Sequence, residues 1–371
     1  MNADYSELFN GIESWFARFI SVPDEADLSL LTLWTVHTHL AEECYTSPRL
    51  LIDSTMPGSG KTTVLDHLSR LAHHPVQAAS LSSPALLTRL LDKGVRTILI
   101  DEADRSLAPD KQGVGDLIAV LNSGYRRGAS RPVLVPGEGG TWIDKEMSTF
   151  APVAMAGNSP KIPEDTRSRC IRVLLMPDLE GVAEDSDWEL LEDEAGLLRD
   201  QIVDFADSVR DDIRGMAVDL PDGCMGRSKE RWRPLKRVAV AAGGHWPNIA
   251  DELIQRNMAE DEAYRDAGLV ADPPGMVLLR DLSAVWPDGE PFVTTDSLVS
   301  QLIAHNPQYW GAASAYGRSL TAKRLASLVA QASKVTSIRP GGRGKRGYSA
   351  AHLTPIWLRL GIPLYGSGAP G

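Results

Sequence analysis

Cysteine is scarce in this 371-residue chain: Cys44, Cys170 and Cys224 are odd in number, far apart and without metal-ligand spacing. That argues against a disulfide framework or a thiolate metal site and fits reduced thiols, so a cytoplasmic location is expected. Long apolar runs are missing as well. None reaches the roughly 18 residues that cross a bilayer, so no membrane is expected among the partners. The opening residues Met1-Asn2-Ala3-Asp4-Tyr5-Ser6-Glu7 hold no basic stretch leading into an apolar core, and no secretory leader is expected. His37/His39 and His73/His74 are spaced so that neither pair shares a helix face, which argues against a metal site there. The most informative absence lies at the C-terminal end. Residues 297–371 contain no Asp or Glu, while Arg318, Lys323, Arg324, Lys334, Arg339, Arg343, Lys345, Arg346 and Arg359 give that stretch +9. The whole chain carries −11, so the remainder holds −20, the difference between the two. Such a split suggests that one end meets a polyanion.

The length exceeds one core and suits two or three domains. Apolar spacing predicts helices over about 5–20 and 28–44, an N-terminal helical segment taken as 1–48. From Arg49 the pattern becomes strand–helix alternation through Leu50-Leu51-Ile52-Asp53, Val76-Gln77-Ala78-Ala79, Thr97-Ile98-Leu99-Ile100, Val153-Ala154-Met155-Ala156 and Ile171-Arg172-Val173-Leu174-Leu175. Continuously apolar strands belong to a parallel sheet covered on both faces, so 49–177 reads as a doubly wound α/β core. Val133-Leu134-Val135 and Thr141-Trp142-Ile143 flank a glycine turn and read as a β-hairpin. Residues 178–269 read as a helical lid, helical from 178 to 222 with Trp188, Leu190, Leu191, Leu197, Leu198 and Ile202 as the apolar stripe. Around 270–275 lies a linker, and 276–371 reads as helices followed by a basic, glycine-rich hairpin over 338–348, which suggests a winged-helix-like domain.

Phosphoryl transfer requires several oxygens to be neutralised at once, and a glycine turn between strand and helix does this with backbone N–H groups and the positive helix end. Ser54-Thr55-Met56-Pro57-Gly58-Ser59-Gly60-Lys61-Thr62 stands in that context, with Thr55 where the P-loop pattern usually opens on glycine. Pro57, Gly58, Ser59, Gly60, Lys61, Thr62 and Thr63 are expected to cradle ATP, with Lys61 on the β/γ-phosphates and the Thr62 hydroxyl on Mg²⁺. Asp101-Glu102 ends an apolar strand 40 residues beyond Lys61. Asp101 is expected to hold Mg²⁺ and Glu102 to polarise the attacking water. Asn158, ending another apolar strand, offers a neutral amide to position that water. Ser168-Arg169-Cys170 is similar to the Ser-Arg-Cys segment of clamp-loader AAA+ subunits, which makes Arg169, with Arg167 as the alternative, a candidate arginine finger reaching a neighbour's ATP. A homo-oligomer, in the form of a hexameric ring, is the corresponding expectation.

Several segments together carry a family resemblance: Leu33-Trp34-Thr35-Val36-His37-Thr38-His39-Leu40, Pro57 to Thr62, Leu99-Ile100-Asp101-Glu102-Ala103-Asp104, and Leu121-Asn122-Ser123-Gly124-Tyr125-Arg126-Arg127-Gly128-Ala129. Phe150-Ala151-Pro152-Val153-Ala154-Met155-Ala156-Gly157-Asn158, Trp232-Arg233-Pro234-Leu235, Ala242-Gly243-Gly244-His245-Trp246-Pro247 and Leu320-Thr321-Ala322-Lys323-Arg324-Leu325-Ala326 continue it. The chain resembles the P-loop family catalogued as domain of unknown function three-six-three-one, found in actinobacteria, their phages and prophages. The resemblance implies an AAA+-like, helicase-type ATPase that often accompanies primases in mobile elements, hence DNA replication. It also implies a lid arginine for the γ-phosphate, Arg227, with Arg231 and Arg233 as competitors.

DNA contacts are expected from Lys323 and Arg324 on a helix and from Arg339, Arg343, Lys345, Arg346 and Tyr348 on the basic wing. The hairpin around 136–140 is a second candidate, since hairpins at that position line the pore of superfamily-three ring helicases. Arg126, Arg127, Arg131, Trp142 and Lys145 would supply its charge and stacking ring. The leading expectation is an ATP-driven motor on DNA, a helicase or helicase-like replication protein. The alternatives are an ATPase switch that loads or remodels a replication partner, and a nucleotide-gated DNA-binding scaffold such as a regulator or defence sensor.

Overall fold

The computed structural model describes residues 4–78, 84–108, 111, 113–136, 141–266, 274–312, 314, 317–342 and 344–364. By contacts the chain divides into two compact units, Met1–Glu260 and Asp261–Gly371. None of the described helices is long and apolar enough to cross a membrane.

The first unit is built on five strands: β1 (Arg49–Ser54), β2 (Val76–Ala78), β3 (Ile98–Ile100), and, past the hairpin β4 (Ser130–Pro136) and β5 (Trp142–Ser148), β6 (Val153–Asn158) and β7 (Cys170–Leu175). Their order in the sheet is β2-β3-β6-β1-β7, and all pairs are parallel. The protein is thus mixed α/β with a parallel sheet. Because side chains alternate across a strand, each strand divides its residues between two cores. Leu50, Ile52, Leu99, Ala154, Ala156, Ile171, Val173 and Leu175 join one; Leu51, Ile98, Ile100, Val153, Met155 and Cys170 join the other.

On the first face lie α1 (Ser6–Phe19), α2 (Ala26–His39), α3 (Lys61–Leu71), α8 (Trp188–Ile213), α9 (Gly226–Ala242) and α10 (Trp246–Asp266). On the second lie α4 (Pro84–Leu91), α5 (Ala103–Ser106) and α6 (Val114–Ser123), with α7 (Glu164–Arg167) leading into β7. The helices before β1 and after β7 therefore share one hydrophobic core with the sheet. Trp246 is fully buried there, and its indole N–H donates to Asn10 Oδ1 at 3.1 Å. The α9–α10 turn depends on Gly244, whose φ is +55° and whose hypothetical Cβ would stand 2.7 Å from Ser6 Cβ.

Helix α8 is shorter than the sequence pattern suggests. Over 178–187 the backbone turns, because Asp178 accepts from the amides of Gly181 (3.0 Å) and Ala183 (2.8 Å), and Asp187 then caps α8 through Glu189 N. Its buried face is Leu191, Ala195, Ile202, Phe205, Ala206, Val209 and Ile213, while Leu190 and Leu197 face solvent. His37 and His39 separate as expected, His37 meeting Ser47 Oγ (3.1 Å) and His39 the Leu71 carbonyl (2.8 Å), both buried, whereas the rings of His73 and His74 meet edge to face with centroids 4.3 Å apart.

The second unit contains α11 (Pro274–Val285), β8 (Phe292–Thr294), α12 (Thr295–His305), α13 (Pro307–Trp310), α14 (Ala322–Ser333), β9 (Gly347–Ser349) and α15 (Ala350–Arg359) around its own core. The hairpin expected over 338–348 reduces to a bridge between Ile338 and Gly347, and β9 pairs with β8 instead. Gly347 makes that pairing possible, since a Cβ there would fall 2.1 Å from the Val293 carbonyl. Tyr348, expected on the wing surface, is buried opposite Val293. The linker expected near 270–275 falls largely on residues outside those described.

Candidate functional site: two ends of one sheet

All five strands run the same way, so their C-terminal ends form one edge, the usual place for a ligand in such sheets. β1 ends in Asp53 and Ser54 and passes into the loop Thr55–Gly60, whose Gly58 and Gly60 have φ of +77° and +81°. Nothing lies within 4 Å of where a Cβ on either glycine would sit, so the loop borders open space. The loop folds on the Met56 carbonyl, which accepts from Ser54 Oγ (2.8 Å), Ser59 Oγ (2.7 Å) and Lys61 Nζ (3.3 Å). Pro57, Gly58, Ser59, Gly60, Lys61, Thr62 and Thr63 thus form the loop and first turn of α3, whose leading N–H groups have no partner inside the helix.

β3 brings the acids. Thr62 Oγ1 lies 3.4 Å from Asp101 Oδ2, across β6, which separates β1 from β3. Glu102 follows in left-handed backbone, φ +49°, with its N–H on Asp101 Oδ1 at 2.7 Å and its carboxylate paired to Arg105 at 3.0 Å. β6 ends beside them. Asn158 is in register with Ser54; its N–H donates to Asp104 Oδ1 (3.2 Å), and its own Oδ1 is buried without a hydrogen-bond partner. Burial lowers the Lys61 pKa from its ordinary value, opposed by the nearby Asp104, Asp101 and Asp53.

Asp53, Asp104, Ser159 and Arg172 were not singled out from the sequence. Asp53 is buried, accepts from Ser159 N (3.0 Å) and pairs with Arg172 Nε (2.9 Å), tying the ends of β1 and β6 to the middle of β7. Asp104 had a signal, the third acid of Asp101-Glu102-Ala103-Asp104; Arg172, inside an apolar strand, had none beyond its charge.

The residues present suit a magnesium–triphosphate. A glycine loop with open space, a lysine and unpaired helix N–H groups can take phosphate oxygens, and Thr62 and Asp101 are hard oxygen donors. No group of three or more His, Cys, Asp or Glu among the described residues gathers to hold a metal, so a cation here would complete its shell with phosphate oxygens and water.

The arginines lie at the other end. Arg169 immediately precedes β7, at the level of Arg49, the first residue of β1. β1 spans about 17 Å from Arg49 to Ser54 at the usual rise, so Arg169 stands far from its own glycine loop. Its guanidinium donates to the Asp165 carbonyl and lies 5.9 Å from the Tyr125 ring. Arg167 is exposed and donates to the Pro160 carbonyl at 3.2 Å. Arg227, expected at the γ-phosphate, is placed with Arg169, 5.5 Å from the same Tyr125 ring and paired to Glu230. Arg231 is buried on the Cys170 carbonyl (2.9 Å), and Arg233 is half-buried on α9. The start of α9 lies against the segment that leads into β1, with Thr46 Oγ1 donating to the Glu230 carbonyl (2.7 Å), which explains why none of these arginines is brought to Lys61.

The β4–β5 hairpin exposes Leu134, Trp142 and Ile143, Trp142 by 66%. Its expected charges are largely engaged: Lys145 pairs with Asp92 (2.6 Å) and Arg131 with Asp116 (3.8 Å). Arg126 and Arg127 lie before the hairpin, Arg126 paired to Glu230 at 2.8 Å. The turn at 137–140 lies outside the described residues. In the second unit Lys323, Arg339, Lys345 and Arg346 are exposed and Arg324 is half-buried. Lys345 approaches Asp296 at 4.0 Å and Arg346 donates to Ser337; Arg343 lies outside the described residues.

Comparison with known proteins adds three kinds of similarity. A family described as "Protein of unknown function (DUF3631)" matches residues 180–360. An "Uncharacterized 28.9 kDa protein in xis 5'region" of Saccharopolyspora erythraea is 32% identical over 136 residues, 36% of this chain and 48% of that protein. The chain therefore spans about half the length of the curated relative it matches. Among solved structures, a full-length MCM homolog from Methanopyrus kandleri is similar at 14% identity and a TM-score of 0.40, over 68% of this chain and 60% of that one. The C-terminal region of NrS-1, in its apo structure, matches at 14% identity and a TM-score of 0.39, over 93% and 74%.

Proposed function

We propose that this protein is an AAA+-like P-loop ATPase that binds Mg-ATP at Gly58 to Thr62 and acts as a motor on DNA, of the helicase or replication type. The single observation that carries the reading is the convergence of Lys61, Thr62, Asp101, Glu102 and Asn158 at one sheet edge, with Thr62 Oγ1 3.4 Å from Asp101 Oδ2. When bound, Mg²⁺ neutralises charge on the phosphate oxygens; Thr62 and Asp101 hold it. Lys61 leaves the Met56 carbonyl for the phosphates, Glu102 leaves Arg105 to take a proton from the attacking water, and Asn158 Oδ1 orients that water. Arg169, standing at the far end of the strands, acts on a neighbour's nucleotide, so the working form is a homo-oligomeric ring.

DNA is the proposed polyanion for the second unit. Its order of helix, strand, two main helices and a bridged turn closing on β9 supports a winged-helix reading, with Lys323, Arg324, Arg339, Arg343, Lys345 and Arg346 as phosphate contacts. Trp142 on the exposed hairpin is the candidate stacking ring.

ATP turnover measured with and without single-stranded DNA tests the proposal. A motor predicts turnover that DNA stimulates and that Lys61→Ala and Glu102→Gln both abolish; turnover unchanged in Lys61→Ala ends the ATPase reading. Stimulated turnover without strand displacement would favour a loading switch, and nucleotide binding without turnover a scaffold.

A further inference from the structure

Helix α8 shows solvent two leucines that the first unit does not bury. Leu190 is 77% exposed and Leu197 68%, on a helix whose nine acids against two arginines leave it at −7. At about 100° per residue, Leu190, Glu194, Leu197, Gln201, Asp204 and Ser208 fall within about 40° of one line, a single stripe along the helix. From Leu190 to Ser208 it runs about 27 Å, the length of a helix of about five turns.

Beside this stripe lies α1. The Tyr5 hydroxyl meets Ser208 Oγ at 3.0 Å, and Arg18 pairs with Glu194 at 2.8 Å, so the two helices run antiparallel. Between these ties they leave two hollows of about 280 and 520 Å³, which share Gln201 as a wall. Small residues make room: Gly11 and Ser14 line the first, and nothing lies within 4 Å of where a Cβ on Gly11 would sit. Trp15, Leu197 and Leu198 in the first hollow, and Leu8 and Phe205 in the second, give the groove apolar walls. Glu7 and Asp204 also line the second, and neither carboxylate is paired with a cation among the described residues.

The chemistry of the groove selects its occupant. Exposed leucines above apolar walls call for an apolar stripe in return. A channel between two antiparallel helices suits a third helix, and its acids favour a basic one while repelling a nucleic acid. We infer that the α1–α8 groove is the docking site for a basic amphipathic helix of a partner protein. Apolar residues of that helix, seven apart, meet Leu190 and Leu197, and its Lys or Arg side chains reach Glu7 and Asp204. The inference is independent of whether the glycine loop turns over ATP.

The probe is a synthetic helix of about 18 residues, leucine at every third or fourth position and lysine between. A peptide of the same composition with its leucines scattered is the control. Titrated against the full chain by fluorescence anisotropy, the amphipathic peptide should bind at least about 10-fold more tightly than the control. Leu190→Gln/Leu197→Gln changes only exposed side chains, so the melting temperature should hold while affinity falls about 10-fold or more. Glu7→Gln/Asp204→Asn should weaken binding about 5-fold and flatten its salt dependence. Bound peptide should slow amide exchange along 5–18 and 190–208. Equal affinity for the two peptides, affinity unmoved by the leucine change, or slowed exchange that spares α1 and α8 overturns the inference. So does a single-stranded oligonucleotide that displaces the peptide, which would give the groove to a nucleic acid. Self-association of the unaltered chain that Leu190→Gln/Leu197→Gln abolishes would give it to a second copy and overturn the inference as well.

Discussion

The two ends of the parallel sheet use opposite chemistry. At the C-terminal ends, short loops gather a lysine, four carboxylates and a glycine turn bordering open space, with hydrogen bonds joining Thr62 to Asp101, Asn158 to Asp104 and Ser159 to Asp53. At the N-terminal ends, arginines crowd one tyrosine. The first end is organised by groups that satisfy each other; the second is held by burial and by carbonyls, with charge left over. The difference teaches that an apparently complete set of motifs on one chain is distributed over two edges that strand length keeps apart.

The sharpest way to break this comparison is to alter one residue at each end. Lys61→Ala should lose ATP binding and turnover together, while Arg169→Ala should lose turnover by about 10³-fold with binding intact. Nucleotide titration beside a steady-state phosphate-release assay reads both, and parallel losses of binding would remove the division of labour. Next in size is Asp53→Ala, which leaves Arg172 and the Ser159 amide without their buried partner. It should cost about 3 kcal/mol, seen as a lower urea midpoint. Gly157→Ala should cost about 1–3 kcal/mol, because its Cβ would fall 2.9 Å from Asp104 N and Oδ1. An unchanged melting temperature would show that α5 yields freely.

A pH-dependent effect separates the two units. His37 and His39 are buried and neutral, their pKa values pushed down to about 3 and about 4 by burial. Unfolding raises both toward 6.5, so the unfolded chain binds more protons as pH falls. The first unit should lose stability from about pH 6.5 down toward 4, by at most about 1.4 kcal/mol per pH unit for each histidine. His305 and His352, the histidines of the second unit, are exposed. Amide exchange at pH 7 and 5 should therefore show the first unit losing protection ahead of the second. Smallest of all, Arg105→Ala removes an exposed ion pair from Glu102 and should shift stability by less than about 1 kcal/mol.

Much of the glycine-loop end was legible because its signals are local. A buried strand, a glycine turn and Lys61-Thr62 follow one another, and Asp101-Glu102 closes an apolar run. The arginine end was not legible to the same degree. Only the family resemblance points Arg227 to the γ-phosphate, and the structure sets it beside Arg169. Leucine spacing in α8 points to a stripe that includes Leu190 and Leu197, yet both face solvent, because an acidic helix with many leucines admits more than one face. Glycine and charge in the second unit suggest a basic hairpin, yet β9 finds its partner in β8, with Val293 opposite Tyr348.

The sequence by itself determined which segments become strands and helices in the parallel sheet, the turn at Gly58 and Gly60, and the acids that close β3. Those follow from backbone preference and short-range apolar spacing. Only the tertiary structure decided that β6 enters between β1 and β3, that Asp53 holds Ser159 and Arg172, and that Arg227 joins Arg169 around Tyr125. Each of these depends on strand order and helix docking, where residues distant in the chain meet and no local pattern records the encounter.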